Sequence, residues 1–367
     1  MNDELIDDET LPLARKSLLP GAGFFYPDSF DEERAERETR EALDGAQRVV
    51  LADPDADGLG CVALLREAFG EVALIPTGPH DLSNTIDRVA DHVETGAQVF
   101  VCDLSVDDFY YISGQFDRLT TRAASVEWFD HHQWEAEDME KVRDHGARLV
   151  VGDSEEVCST DVTLESLDHD FDPRYTELAA VTRDHDLWLR EDPRSDDLAD
   201  YAHWAEPEAY IATVREHGAD LPSEVEAFLA DQRIEKEALI ERAVERAEMK
   251  RVGPWTVGVT YGRCSQNEVC EALREAGADA AVVVKPAGSA SIRGTESFER
   301  CHEVAGQVNG GGHPKAAGCK PDIYDDMLDY AHHWTTQGAV TKRVILEAFK
   351  RLDSEVVDGV ADGESNE

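Results

Sequence analysis

The chain has 367 residues, 41% of them hydrophobic, which is long enough for two domains and too apolar to stay disordered. Its 79 acidic and 35 basic side chains leave a formal charge of −44, which excludes a protein that grips nucleic acid or a membrane through a broad basic field. Such a surface is self-repelling in dilute salt and well screened in concentrated salt, as expected for a protein of a salt-rich cytoplasm.

Taken in chain order, residues 1–45 are acidic and helical in pattern ("FDEERAERETREAL") and form an N-terminal extension. No basic or apolar leader opens the chain and no apolar run approaches membrane length, so a soluble cytoplasmic protein without membrane contact is expected. Short Val/Ile-rich runs then recur at "RVVLA" (48–52), "EVALIP" (71–76), "AQVFVCD" (97–103) and "AASVEWFD" (123–130), with helix-length polar segments between them. That rhythm predicts an α/β domain over 46–190 with a mostly parallel sheet. Helical sequence continues through "DVTLESL" and "YTELAAVTRDHDLW". Residues 191–250 are expected as a helical connector, ending in the long charged pattern "PSEVEAFLADQRIEKEALIERAVERAEMK". A smaller α/β domain follows over 251–345, with strands at "WTVGVTYG", "DAAVVVKP" and "SIRG" and a helix at "SQNEVCEALREAG". Residues 346–367 are expected as an acidic tail. The seven scattered cysteines form no CxxC pair, which argues for a reducing compartment rather than a disulfide scaffold.

Residues 251–320 carry eight basic and seven acidic side chains, a net of +1, while the rest of the chain carries −45. Either this module is more buried or its surface must tolerate an anion.

The chemistry concentrates where strands end. Asp53, Asp55 and Asp57 follow the first run, Asp103 ends the third, and Asp130, His131 and His132 end the fourth. In an open parallel sheet the carboxyl ends of the strands share one edge, where ligand sites form. Carboxylates converging there repel unless a cation neutralises them, and Asp with His suits manganese or a similar divalent ion. Taken singly, each piece has an ordinary reading: a solvated acidic loop, a helix cap at Asp103, a surface histidine pair. Their coincidence at three strand ends favours the metal. "AAVTRDHDLW" presents Asp184 or Asp186 as a further ligand, and its spacing does not choose between them. In the second domain, three glycines of "VNGGGHPKAAG" (Gly310, Gly311 and Gly312) allow close backbone approach and a concave anion site, with His313 and Lys315 as added donors. Arg263 and Arg293 follow apolar strands and can reach the same anion or a partner carboxylate.

"DPDADG", "VCD", "FDHH", "RDHD" and "GGGHPKAAG", in this order over residues 48–320, resemble the DHH phosphoesterase superfamily, in the branch with a C-terminal DHHA1 domain. The resemblance implies a two-metal phosphoesterase with a cleft between two α/β domains and two divalent ions, manganese first, with magnesium or cobalt as alternatives. It implies that Asp55 and Asp57 each hold a metal, that Asp103 bridges them, and that His131 is a ligand. His132 is implied to face the scissile phosphate, and Asp103, Asp130 and His132 are the candidate catalytic residues. Asp184 best matches the last ligand, with Asp186 as the fallback, and the glycine loop with His313 grips substrate. One departure stands out: many members carry a histidine four residues before the first metal-binding Asp, where this chain has Leu51. RecJ-type nucleases show a DxDxDG arrangement instead, in which Asp53 compensates as ligand or as a hydrogen-bond acceptor behind one.

The function expected is hydrolysis of single-stranded DNA or RNA, or of short oligonucleotides. Hydrolysis of small nucleotides, such as phosphoadenosine phosphate or a cyclic dinucleotide, is the alternative. A catalytically weak scaffold for replication or repair proteins is a third reading, and a homodimer is compatible with all three. A chain of −44 must hold an anionic strand by metals, stacking and directed hydrogen bonds rather than by charge.

Overall fold

In a computed structural model, residues 29–361 are described except 107 and 323–326; the rest of the expected N-terminal extension and the last six residues lie outside the described residues. The chain divides into two compact units, the first over Asp31–Gln232 and the second, among the described residues, from Arg233 onward.

The first unit begins with α1 (Ser29–Leu43) and β1 (Arg48–Ala52), followed by α2 (Ala56–Phe69), β2 (Ala73–Pro76), α3 (Leu82–His92) and β3 (Gln98–Cys102). It continues with α4 (Ser113–Arg122), β4 (Ser125–Asp130), α5 (Ala136–Asp144), β5 (Arg148–Val151), α6 (Ser159–Ser166) and α7 (Pro173–Asp186). Two further helices, α8 (Ser195–Trp204) and α9 (Pro207–His217), complete it. The five strands form one parallel sheet in the order β2-β1-β3-β4-β5. Successive side chains of a strand face opposite sides, and both sides are covered. Val49, Leu51, Val99, Val101 and Trp128 pack with α3, α4 and α5, while Val50, Ala52, Phe100, Cys102 and Phe129 pack with α2, α7, α8 and α9. Burial on both faces explains the near-continuous apolar runs of these strands. Leu51, where the resemblance asks for histidine, is fully buried in the first of these layers.

β5 was not among the expected strands. "RLVV" is short and only its Leu149 is fully buried, so its apolar signal is weak. Residues 191–232, expected as connector, pack largely into the first unit: Leu198, Tyr201, Tyr210, Ile211, Val214 and Leu229 are buried against α2 and α7. The apolar faces of these helices, not their charge, decide where they belong.

α10 (Ser223–Glu245) leads into the second unit, which holds β6 (Glu248–Val252), β7 (Trp255–Tyr261), α11 (Gln266–Glu275), β8 (Ala280–Val284) and β9 (Ala290–Gly294). Then come α12 (Cys301–Gly306), β10 (Gly310–Gly312), β11 (Ala316–Cys319), α13 (Met327–Thr335) and α14 (Ala339–Ala361). Residues 248–250, read from the sequence as helix, open an edge strand. Six strands run β10-β11-β9-β8-β7-β6, and only β7 and β8 are parallel. α14 takes in much of what was expected as a tail. Ile345, Ala348, Phe349 and Leu352 recur at helical spacing and are buried against the sheet. No helix among the described residues is long and apolar enough to cross a membrane.

Candidate metal centre

The acidic run after β1 enters a helix at once. Asp55 is the N-cap of α2, and its Oδ1 accepts from the N–H of Asp57 at 2.9 Å and of Gly58 at 3.0 Å. A carboxylate is favoured there by the orphan donors and the helix dipole. Gly58 is required by contact: a Cβ on it would sit 2.2 Å from the Asp53 carbonyl oxygen, so the turn can close only over a bare backbone.

Asp57, in the first turn of α2, is 2% exposed. Its Oδ2 accepts from Ser159 N–H and its Oδ1 from Thr160 N–H, both at 2.7 Å, and the Thr160 hydroxyl donates to the Asp57 carbonyl at 2.9 Å. Asp57 therefore satisfies the first donors of α6.

Asp103 directly follows β3, with its N–H donated to the Phe129 carbonyl at 3.0 Å and a φ of 58°. A non-glycine residue in the left-handed region is uncommon and clusters at functional sites. Its buried Oδ1 accepts from the Ser159 hydroxyl at 3.0 Å. Asp130, wholly buried at the end of β4, pairs through Oδ1 with Nδ1 of His132 at 2.8 Å and accepts from Trp134 Nε1 at 2.6 Å. It orients His132 rather than facing the cluster.

His131 lies at the middle. It is 6% exposed, and its Nε2 is 3.2 Å from Asp186 Oδ2 and 3.8 Å from both Asp57 Oδ2 and Asp103 Oδ1. Neither ring nitrogen has a partner in hydrogen-bond geometry. Two sets of potential ligand atoms, Asp103/His131/His132 and Asp57/His131/Asp186, each converge within 4.8 Å and share this imidazole. A buried polar atom without a partner is costly, and a divalent cation taking carboxylate and imidazole ligands resolves it. The donor set thus fits a metal.

The electrostatics agree. Burial, then the charges of Asp57, Asp55, Asp130 and Asp186, push the Asp103 carboxyl well above the ordinary range. Burial and Asp57 raise Asp55 as well, partly offset by its backbone donors. Asp53 is pushed up to about 7 by burial and by Asp55, and Asp186 to about 8 by burial, Asp57 and Asp55. For His132 burial pulls down, but the hydrogen bond and charge of Asp130 prevail and lift it to about 9. Without a cation the cluster holds protons that a metal would displace.

Asp184, the first choice for a last ligand, does not join the cluster. Its Oδ1 accepts from Glu191 N–H at 2.8 Å, and its carbonyl accepts from Leu189 N–H at 2.9 Å. Burial raises its carboxyl, but donors from Ser195 and from the Glu191 and Asp192 backbone outweigh that and hold it below its ordinary value. At 3.6 residues per turn, positions two apart face different directions, so Asp184 staples the loop after α7 while Asp186 reaches His131.

Ser159 was not anticipated. It is fully buried, and through its N–H and hydroxyl it touches Asp57 and Asp103, with Asp130 Oδ1 at 3.4 Å. The signal is the Ser–Thr pair before "DVTLESL", a helix start; without β5 nothing places that start at the edge where the acids and histidines converge.

In the second unit the glycine run is an edge strand rather than a concave turn. Consecutive N–H groups of a strand point to opposite sides, so they do not converge on one anion. Gly310 is required there, since a Cβ would lie 2.1 Å from the Gly318 carbonyl oxygen, whereas Gly311 faces open space. His313 N–H closes the hairpin onto the Ala316 carbonyl at 2.7 Å, and Lys315 pairs with Glu299 at 3.1 Å. Arg293 stands beside Ala316 across the β9–β11 ladder, with donors on Asn267 Oδ1 at 3.0 and 3.2 Å. Arg263 is exposed after β7.

No family model matches the chain, and no curated protein does. Solved structures do. RecJ from Thermus thermophilus in complex with Mn2+ is 16% identical with a TM-score of 0.53, over 87% of this chain and 54% of that one. The pGpG-specific phosphodiesterase PggH from Vibrio cholerae is 12% identical with a TM-score of 0.51, over 81% and 98%. The DHH domain of a member of a ribosomal-protein family is 16% identical with a TM-score of 0.50, over 91% and 94%. At these identities the likeness is one of fold: the chain has a DHH-type α/β fold.

Proposed function

We propose that the chain is a metal-dependent phosphoesterase of the DHH type, hydrolysing phosphodiesters of single-stranded nucleic acid or short oligonucleotides. The observation that carries this is His131, buried with neither ring nitrogen in hydrogen-bond geometry while Asp57, Asp103 and Asp186 oxygens lie 3.2–3.8 Å from its Nε2. Asp55, Asp57, Asp103, His131 and Asp186 would hold two divalent ions, manganese first, with Asp53 assisting. The chemistry such ions supply when bound is Lewis-acid polarisation of the phosphate and activation of water.

The chain's own groups do the rest. His132, tied through Nδ1 to Asp130 and charged up to about pH 9, leaves Nε2 as a donor for a phosphate oxygen or the leaving group. Ser159 and the start of α6 hold Asp57 and Asp103 in place. Arg263, Arg293, the exposed strand Gly310–Gly312, His313 and Lys315 are assigned to substrate contact.

A second reading, hydrolysis of a dinucleotide, draws support from the fold shared with the pGpG-specific enzyme. The test offers a 20-mer labelled at either end, as DNA and as RNA, a linear dinucleotide and a cyclic dinucleotide, each with manganese. Release from the 20-mer supports the nuclease; turnover of dinucleotides alone replaces it with the second reading. No hydrolysis of any of them refutes both.

A further inference from the structure

Among the described residues of the first unit, the most exposed large apolar side chains are Tyr110 at 76% and Tyr111 at 69%. They do not sit on a loose loop. Phe109 and Ile112 on either side are buried, and the Phe109 ring meets Phe116 edge-on at 5.6 Å and His145 at 4.8 Å. Phe109 N–H donates to Asp138 Oδ1 at 3.3 Å. Tyr110 N–H donates to Asp108 Oδ1 at 2.9 Å, and the Tyr110 carbonyl accepts from the Ser113 hydroxyl at 3.0 Å. The Tyr111 carbonyl accepts from the Ser83 hydroxyl at 3.4 Å. The segment is thus pinned both to α3, which follows β2, and to α5, which follows β4, across the carboxyl edge of the sheet. Asp103 lies on the same connection; seven residues span at most about 25 Å.

We propose that Tyr110 and Tyr111 are a stacking platform for the bases of a single-stranded nucleic acid leading to the metal centre. This rests on the phosphodiesterase reading and narrows its substrate to a base-bearing strand. The rings stand 5.9 Å apart at 74°, so they offer aromatic surface in two orientations. A chain of −44 cannot attract a polyanion by its overall field, so affinity has to come from uncharged surfaces, and every base has a face that stacks.

The test is fluorescence anisotropy of a fluorescein-labelled hexadeoxyadenylate with phosphorothioate linkages, which resist hydrolysis. It is run with manganese in the potassium chloride concentration that keeps the full chain folded by circular dichroism. Tyr110→Ala/Tyr111→Ala is expected to weaken binding by about tenfold or more, while Tyr110→Phe/Tyr111→Phe, which keeps the rings, stays within about threefold of the native chain. Unlabelled tripolyphosphate, which has no bases, is expected to bind the alanine variant and the native chain alike. Equal oligonucleotide affinity in the alanine variant overturns the proposal, as does absence of binding by the native chain. Self-association of the native chain that the alanine variant loses would assign the pair to contact between copies instead. Hydrolysis of the unmodified hexamer is measured separately: binding that depends on the rings without hydrolysis refutes the enzyme reading and leaves the platform standing.

Discussion

Replacing Asp57 by Ala separates a metal ligand from a structural cap, because the two roles predict opposite signs in the metal-free protein. If Asp57 were only one carboxylate in a repelling cluster, its removal would stabilise the fold. The geometry says otherwise: both carboxylate oxygens accept backbone N–H groups of α6 at 2.7 Å. Leaving two buried donors unpaired costs about 1–3 kcal/mol each, and losing the charge at the helix start adds roughly 0.3–1 kcal/mol. Little repulsion from Asp186 is available to offset this, since burial, Asp57 and Asp55 push its carboxyl up to about 8 and it is largely protonated at neutral pH. The expected net loss is about 2–5 kcal/mol for Asp57→Ala and, with one acceptor oxygen retained, roughly half that for Asp57→Asn. Urea unfolding followed by circular dichroism, in concentrated potassium chloride with EDTA at pH 7, measures it. An Asp57→Ala midpoint equal to or above that of the native chain would refute the reasoning.

Asp186 should behave in the opposite way. Its carboxyl titrates at about 8 in the folded chain against 3.8 ordinarily, so its contribution to metal-free stability is complete at low pH and is lost as pH rises through about 8. Melting temperatures from pH 6 to 9 should fall for the native chain and fall less for Asp186→Asn, which in calorimetric titration should also lose manganese affinity. Asp184→Ala should cost about 1–3 kcal/mol in urea unfolding while leaving direct metal ligands intact; a complete loss of manganese binding with unchanged stability would reverse the two assignments. Asp130→Asn should bring the His132 pKa down from about 9 towards the ordinary histidine value, seen in ring proton shifts by NMR, and move the alkaline fall in rate to lower pH. In the second unit, Gly310→Ala should disrupt the β10–β11 hairpin and lower its amide protection, whereas Gly311→Ala, facing open space, should not.

The sequence alone determined the parallel α/β character of the first unit, four of its five strands, and the group of strand ends where the acids and histidines lie. These features are local: apolar period, strand length, and residues next to one another in the chain. It also narrowed the candidate metal ligands to a short set, because like charges at a strand end stand out even in an acidic chain. Only the tertiary structure decided which of them converge. Asp184 and Asp186 look alike in "RDHD", and rotation about α7 sends one to the Glu191 N–H and the other to His131. Ser159 becomes a hub only because β5, too short to announce itself, brings the start of α6 to the edge where the acids and histidines gather. The glycine run is a strand rather than a turn because β11 pairs with it. The apolar stripe Ile345–Leu352 of α14 becomes core only once the second sheet is there to receive it. In each case the deciding partner is distant in sequence, and a chain read residue by residue carries no record of which surfaces will meet.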